Sequence, residues 1–214
     1  MLVDLKFEGK LVVVVGGGSE GYRKTVDFLD AGAKVLVVSQ SFSKDMANLS
    51  KEKKISIRKE KLENAKSFID SFDSKPDVVV AVTSNREFNF SLLECAKSAG
   101  CMVYAPDNPS VSDFALPATA RVGDVRIAVS TGGKSPAMAS VLRKRIEKLV
   151  TAEDLLQIKL QEYLRDLLKR QVSDQKVRKE LLYKVIQDFD IQRLLKDNKF
   201  EEAKKRATGI VQKS

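Results

Sequence analysis

Chemistry is first legible at Gly16-Gly17-Gly18-Ser19-Glu20-Gly21. Gly16, Gly18 and Gly21 fall in the spacing G-x-G-x-x-G, directly after the aliphatic run Leu11–Val15 and at the start of a helical pattern. In that context Gly16 permits a tight turn and Gly18 lets the backbone approach a pyrophosphate. Gly21 lets the helix lie close on the sheet. Ser19 and its successors then offer free N–H groups and a partial positive charge to the phosphates. The loop predicts dinucleotide binding; without a ligand it reads as a plain glycine turn. The acidic residue expected about 20 positions later is missing. Ser39-Gln40-Ser41 stands there instead, so Ser39 is the candidate for the ribose. No arginine is set to receive a 2′-phosphate, although Lys44 is near, and NAD is favoured over NADP.

Histidine is absent from all 214 residues. This excludes Ser-His-Asp and Cys-His catalysis and histidine-based zinc sites, and it leaves acid–base work to Asp, Glu, Lys, Tyr or Cys. Cys95 and Cys101 make neither a disulfide framework nor a metal site, and no metal is expected. Residues 1–10 carry Asp4, Lys6, Glu8 and Lys10 and cannot be a secretory signal. The longest apolar runs, such as Val78–Val82, are far shorter than the roughly 18 residues of a membrane span. A cytoplasmic protein with no membrane partner is expected. The net charge of +9 is uneven: residues 141–214 hold 19 Lys and Arg against 12 Asp and Glu. A basic tail suits nucleic acid, a highly anionic small molecule, or merely a solvated helical face. Acids interleave with the bases and aromatics are few, which argues against nucleic acid.

The elements that position these residues follow from pattern. Leu11–Val15, Val35–Val38 and Val78–Val82 read as strands buried on both faces of a parallel sheet. Ile55–Arg58 and Met102–Tyr104 are weaker strands. Tyr22, Val26, Leu29 and Ala33 fall at helical spacing, and segments 62–72 and 86–99 are later helices. The alternation predicts an α/β fold with a doubly wound parallel sheet of the Rossmann kind. Thr83, after the fourth strand, should then face the nicotinamide half of a cofactor, unless Thr83 or Ser84 merely caps the next helix. Beyond Pro109, Phe114–Arg121 and Val125–Ser130 read as a hairpin turned at Gly123-Asp124. Ser135-Pro136 opens a helix, and residues 137–207 are helical in pattern throughout. Gly133-Lys134-Ser135 imitates the end of a P-loop, but Ala128 occupies the position that requires glycine. The turn suits a carboxylate better, through glycine backbone and Lys134 at a helix start.

Several motifs together resemble the siroheme synthase family. They are the glycine loop; Ala81-Val82-Thr83-Ser84-Asn85 followed by Asn89; Asp107-Asn108-Pro109 with Phe114-Ala115-Leu116-Pro117-Ala118; and Val129-Ser130-Thr131-Gly132-Gly133-Lys134-Ser135-Pro136. The resemblance covers about residues 1–150, and no methyltransferase domain follows, which implies the stand-alone form. It implies removal of two hydrogens from precorrin-2, with hydride transfer to NAD⁺, giving sirohydrochlorin. In bifunctional members ferrochelation follows. The family's catalytic aspartate falls on Asp107, whose plain reading is a residue of the Pro-Asp-Asn-Pro turn. A site serine of relatives falls on Thr131, and Gly132, Lys134 and Ser135 join it as candidate substrate contacts. Relatives pair as homodimers through the middle region. The expected organisation is a Rossmann domain over 1–110, a dimerisation region over 111–150 and a helical region over 151–214. A non-catalytic NAD-sensing module is the alternative; it would need the glycine loop but neither Asp107 nor the 130–136 turn.

Overall fold

The computed structural model describes residues 2–212; residues 1, 213 and 214, at the ends of the first and last expected segments, lie outside the described residues. Two compact units divide the chain, Met1–Leu116 and Pro117–Ser214.

In the first unit, β1 (Leu11–Val15), β2 (Lys34–Ser39), β3 (Ser56–Lys59), β4 (Val78–Ala81) and β5 (Met102–Tyr104) form one parallel sheet in the order β3-β2-β1-β4-β5. The aliphatic runs explain this arrangement. Side chains of a strand alternate between faces, so a strand covered on both sides must be apolar at every position. Val13, Val15, Val79 and Ala81 enter one core with Phe68, Leu92 and Leu93. Val12, Val14, Val78 and Val80 enter the other with Phe28 and Met46. Helices α1 (Ser19–Asp30) and α2 (Lys44–Lys51) thus cover one face, and α3 (Ala65–Asp70) and α4 (Arg86–Ser98) the other. Strand order reverses at β1, which lies between β2 and β4. That is the switch point at which such sheets open a crevice beyond their carboxyl ends.

The second unit starts with an antiparallel hairpin of β6 (Ala118–Val122) and β7 (Val125–Val129), followed by α5 (Pro136–Glu147). Helices α6 (Ala152–Gln171), α7 (Gln175–Gln187), α8 (Phe189–Lys196) and α9 (Phe200–Gln212) then share a core of Leu160, Leu164, Leu168, Ile191 and Leu195.

Several boundaries differ from those expected. The strand expected from Phe114 begins only at Ala118. Phe114 instead stacks on Tyr104 with ring centroids 5.3 Å apart and meets Phe28 edge-on, so burial of its ring in the first unit overrides its strand propensity. The helix α2 was not anticipated. Only Met46 of its eight residues is buried, too little for a periodic pattern, although Ser43 caps it by accepting from Met46 N. The long helical stretch is five helices. Three of its four breaks carry caps rather than Pro or Gly, a Thr151–Asp154 capping box, Asp174 and Asp188, and the fourth turns at Asn198, with φ +58°.

Two carboxylates pin the sheet. Asp77 accepts from Lys10 Nζ at 2.8 Å and from Leu11 N at 2.9 Å, and these bonds hold its pKa below the usual carboxylate range. Burial pushes the Asp113 carboxyl up, but Lys97 at 2.9 Å and the Val103 N–H at 2.9 Å outweigh it and the net shift is downward. A lowered native pKa means that the folded state binds fewer protons than the unfolded chain. The stability so gained is present above the unfolded value of about 4 and is lost as pH falls through it toward the native value. Melting temperature should therefore be flat down to about pH 5 and decline below about pH 4. Asp77→Asn should lower the plateau and flatten the decline, as followed by circular dichroism melts across that range.

Candidate functional site

The glycine loop joins β1 to α1 at the switch point. Gly16 has φ +132°, and a Cβ there would lie 2.6 Å from the Val82 carbonyl oxygen. A Cβ on Gly17 would collide with the Ser41 carbonyl and approach Ser39 Cβ within 3.0 Å; one on Gly21 would strike the Gly16 carbonyl. The loop is thus pressed between the ends of β2 and β4, with Gly16 N donating to Val38 O and Ser43 N to Gly17 O. Gly18 differs. It is exposed, a Cβ there would meet nothing within 4 Å, and its φ of −77° suits any residue.

Gly18 is also the N-cap of α1 and supplies no side-chain acceptor. Each of α2 through α8 carries a capping side chain: Ser43, Asn64, Asn85, Ser135, Thr151, Asp174 and Asp188. The first N–H groups of a helix have no intrahelical partner, and at Ser19, Glu20 and Gly21 the chain offers them no cap. A pyrophosphate fits there: Gly18 leaves room, and the bare N–H groups and helix dipole supply the attraction. Ser39 lies at the end of β2, half-buried beside Gly17, and its carbonyl accepts from Glu60 N. Lys59 on β3 is its register partner, a cation that the sequence reading did not weigh.

After β4, neither Thr83 nor Ser84 caps α4; Asn85 does, accepting from Phe88 N at 3.0 Å. Thr83 is held instead by buried Asn89. Its hydroxyl donates to Asn89 Oδ1 at 2.6 Å, its N–H reaches the same oxygen at 3.2 Å, and its carbonyl accepts from Asn89 Nδ2 at 3.0 Å. Asn89 is a positioning residue for this loop, and its only signal in the sequence was its fixed distance from Thr83.

Asp107 lies in the turn after β5. The turn is closed by others: Asn108 N donates to Ala105 O, Ala105 N to Ser112 Oγ at 2.9 Å, and Ser110 Oγ to Asn108 Oδ1 at 2.6 Å. The Asp107 side chain is exposed and, among the described residues, makes no hydrogen bond or ion pair. It therefore does not order the turn. Beside it opens a cavity of about 180 Å³, bounded by Asp107 and Asn108 on one side and by Arg86, Asn89 and Phe90 of α4 on the other. Two other acid–base candidates flank β5 away from this cavity: Cys101 before its start and Tyr104 in the core on the α1 side. Burial pushes the Cys101 thiol up, and burial likewise pushes the Tyr104 phenol up against the opposing pull of Lys24.

Thr131, Gly132, Lys134 and Ser135 form one turn in the second unit. Thr131 Oγ1 accepts from Ser135 N at 3.0 Å and donates to Ser135 O at 3.1 Å. Ser135 caps α5 by accepting from Met138 N at 3.2 Å. The Thr131 hydroxyl is thus spent on the backbone, while Ser135 Oγ accepts one backbone N–H. Exposed Lys134 and the open left-handed backbone at Gly132 and Gly133 are what the turn presents outward. Among the described residues no three Cys, Asp or Glu side chains gather as a metal site, and no helix is long and apolar enough to cross a membrane.

Comparison with known proteins agrees with this geometry. An NAD(P)-binding family model matches residues 3–118, and the model for the central part of sirohaem biosynthesis proteins matches 122–149. The precorrin-2 dehydrogenase of Methanosarcina barkeri is 32% identical over 212 residues, covering 99% of this chain and 92% of that protein. Siroheme synthase 1 of Aeromonas salmonicida is 32% identical over 145 residues, but the chain spans only 30% of its length. The solved structure of SirC, a precorrin-2 dehydrogenase, has the same fold, with a TM-score of 0.75 at 21% identity and coverage of 98% of this chain and 99% of that one. With a nicotinamide-cofactor fold, a sirohaem-type central segment and near full-length relatives, the chain belongs to the siroheme synthase family, alongside its precorrin-2 dehydrogenases.

Proposed function

We propose that this chain oxidises precorrin-2 to sirohydrochlorin, with NAD⁺ as the hydride acceptor. The observation that carries this reading is the free carboxylate of Asp107 on the same carboxyl edge of the sheet as the uncapped glycine turn. Removing two hydrogens from the macrocycle means removing a hydride and a proton. The bound cofactor supplies the hydride acceptor. Asp107 takes the proton, as the free carboxylate at that edge; Cys101 precedes β5 at the opposite edge and Tyr104 packs in the core on the α1 side. Gly16, Gly18, Ser19 and Gly21 receive the pyrophosphate, Ser39 the ribose, and Thr83, fixed by Asn89, the nicotinamide side. Thr131 and Ser135 shape the second turn, from which Gly132 and Lys134 meet substrate carboxylates.

Residues 1–110 serve the cofactor, 111–150 dimerisation and 151–214 the anionic substrate. A homodimer is supported by the hairpin, one face of which is exposed and the other only half-buried, and by exposed Met138, Val141 and Ile146 on α5. The two cysteines are free thiols, in keeping with a reducing cytoplasm. An anaerobic assay of precorrin-2 with NAD⁺, followed by Fe²⁺ or Co²⁺, tests dehydrogenation and then metal insertion; no conversion of precorrin-2 would refute the proposal.

Gly18→Asp should abolish NAD⁺ binding in calorimetric titration, because a carboxylate would occupy the phosphate position. The melting temperature should hold or rise slightly, since Asp is a good N-cap and the site has room for its Cβ. NAD⁺ should be preferred to NADP⁺; a reversed preference in kcat/KM would assign Lys59 to a 2′-phosphate instead.

Asp107→Ala and Asp107→Asn should both lower kcat by about 10²–10⁴, the range for a positioned acid or base. Both should melt like wild type, because the side chain has no structural bond to lose. Full turnover in the Asn variant would remove Asp107 from the mechanism.

Raising salt should raise KM for the octacarboxylate substrate more than for NAD⁺, because exposed charges are screened beyond about 10 Å at 0.1 M. A flat KM would leave the basic helices as a solvated face only.

A further inference from the structure

The cavity beside Asp107 has a second wall, and two of its residues, Arg86 and Phe90, belong to none of the motifs above. Arg86 and Phe90 lie four residues apart on α4, one turn above the other on a single helix face. Arg86 is exposed and, among the described residues, has neither an ion pair nor a hydrogen bond. The other arginines of the first unit are both engaged: Arg23 with Glu20, and Arg58 with Glu60 and the rings of Phe68 and Phe72. Arg86 is also placed against the electrostatics of its own helix. It is the first residue of α4, where the positive end of the helix dipole disfavours a cation. Helix stability does not account for it. Phe90 is 51% exposed and packs into neither core of its unit. An unpaired guanidinium, an open aromatic ring and a free carboxylate thus line one small cavity.

These groups suit a ligand with a flat conjugated face and a negatively charged rim. We infer that Arg86 and Phe90 dock one pyrrole ring of the substrate, with Arg86 pairing one peripheral carboxylate and Phe90 packing on the ring, so that the ring edge is held toward Asp107. The inference rests on the tetrapyrrole reading above and extends it to residues outside the glycine loop and the 131–135 turn. Size decides that one ring enters rather than the macrocycle. The cavity of about 180 Å³ is smaller than the roughly 300–1,000 Å³ typical of whole-ligand pockets. A guanidinium suits this task because it stays charged and can grip a carboxylate through two parallel N–H bonds. With one carboxylate held, the ring has a fixed orientation at the proton acceptor.

The test uses the full-length protein under anaerobic conditions. Steady-state kinetics with precorrin-2 and NAD⁺ are compared for wild type, Arg86→Ala, Arg86→Lys and Phe90→Ala. Binding of the product, sirohydrochlorin, is followed separately by its absorbance without turnover. Arg86→Ala should raise KM for precorrin-2 and weaken sirohydrochlorin binding by about 10- to 100-fold, the range for a hydrogen bond to a charged partner. NAD⁺ affinity and melting temperature should stay at wild-type values. Arg86→Lys should recover part of the loss, since it restores charge without the fork, and Phe90→Ala should weaken product binding with normal NAD⁺ affinity. If wild type oxidises precorrin-2 while Arg86→Ala keeps wild-type KM and product affinity, the docking role is overturned and the proposed activity stands. If wild type neither oxidises precorrin-2 nor binds sirohydrochlorin, the activity and the docking role fall together.

Discussion

The packing of Gly16 against Val82 is the contact on which the rest of the first unit depends. The end of β1 and the end of β4 approach so closely that no side chain fits between them, and the left-handed φ of Gly16 lets the chain turn out of the sheet there. Gly17 and Gly21 continue the same constraint toward β2 and α1. Three of the four loop glycines are therefore demanded by the fold alone. Gly18 is the exception: nothing in the chain excludes a side chain from it, so its identity points to something outside the chain. Separating glycines that pack from the glycine that makes room is more informative than matching the motif, because a ligand-free turn would satisfy the first three equally well.

The loop after β5 is held by a different device. Ser112 and Asp113 reach back to the backbone of Ala105 and Val103, so the exit from the strand is stapled by residues that follow it in the chain. The staple leaves Asp107 free while fixing the backbone on either side. Such a division would serve the proposed role of Asp107, since the carboxylate keeps its lone pairs while its position is set by neighbours.

The sheet was legible in the sequence wherever burial on both faces forced an unbroken aliphatic run, as at Leu11–Val15 and Val78–Val82. It was less legible where an element carries little of the core, as at α2, whose one buried residue leaves no period to read. Phe114 reads as strand from the sequence because its partner, Tyr104, lies on distant β5, and a stacking contact leaves no local pattern. The helical tail read as continuous because its breaks fall at Thr151, Asp174, Asp188 and Asn198, polar residues that also decorate helix surfaces. The glycine loop was visible through its spacing, and Asp107 was a candidate only through the resemblance. Arg86 and Phe90 were visible through neither, because only the fold brings the first turns of α4 beside the exit of β5. Thr131 and Ser135 were legible through the motif, and the structure adds that both also brace the backbone of their own turn.

The uncapped start of α1 has a thermodynamic corollary. Where α2 through α8 each carry a capping side chain, α1 has none, and its first N–H groups are left open to an external acceptor. A nicotinamide cofactor at that turn then belongs to the stability of the protein as well as to its reactivity. A ligand that binds only the native state adds RT ln(1 + [L]/Kd), about 2.7 kcal/mol at a hundredfold excess over Kd. The lifetime of the folded chain would thereby follow the size of the cofactor pool, so that starvation for cofactor would thin the enzyme population as well as slow each molecule.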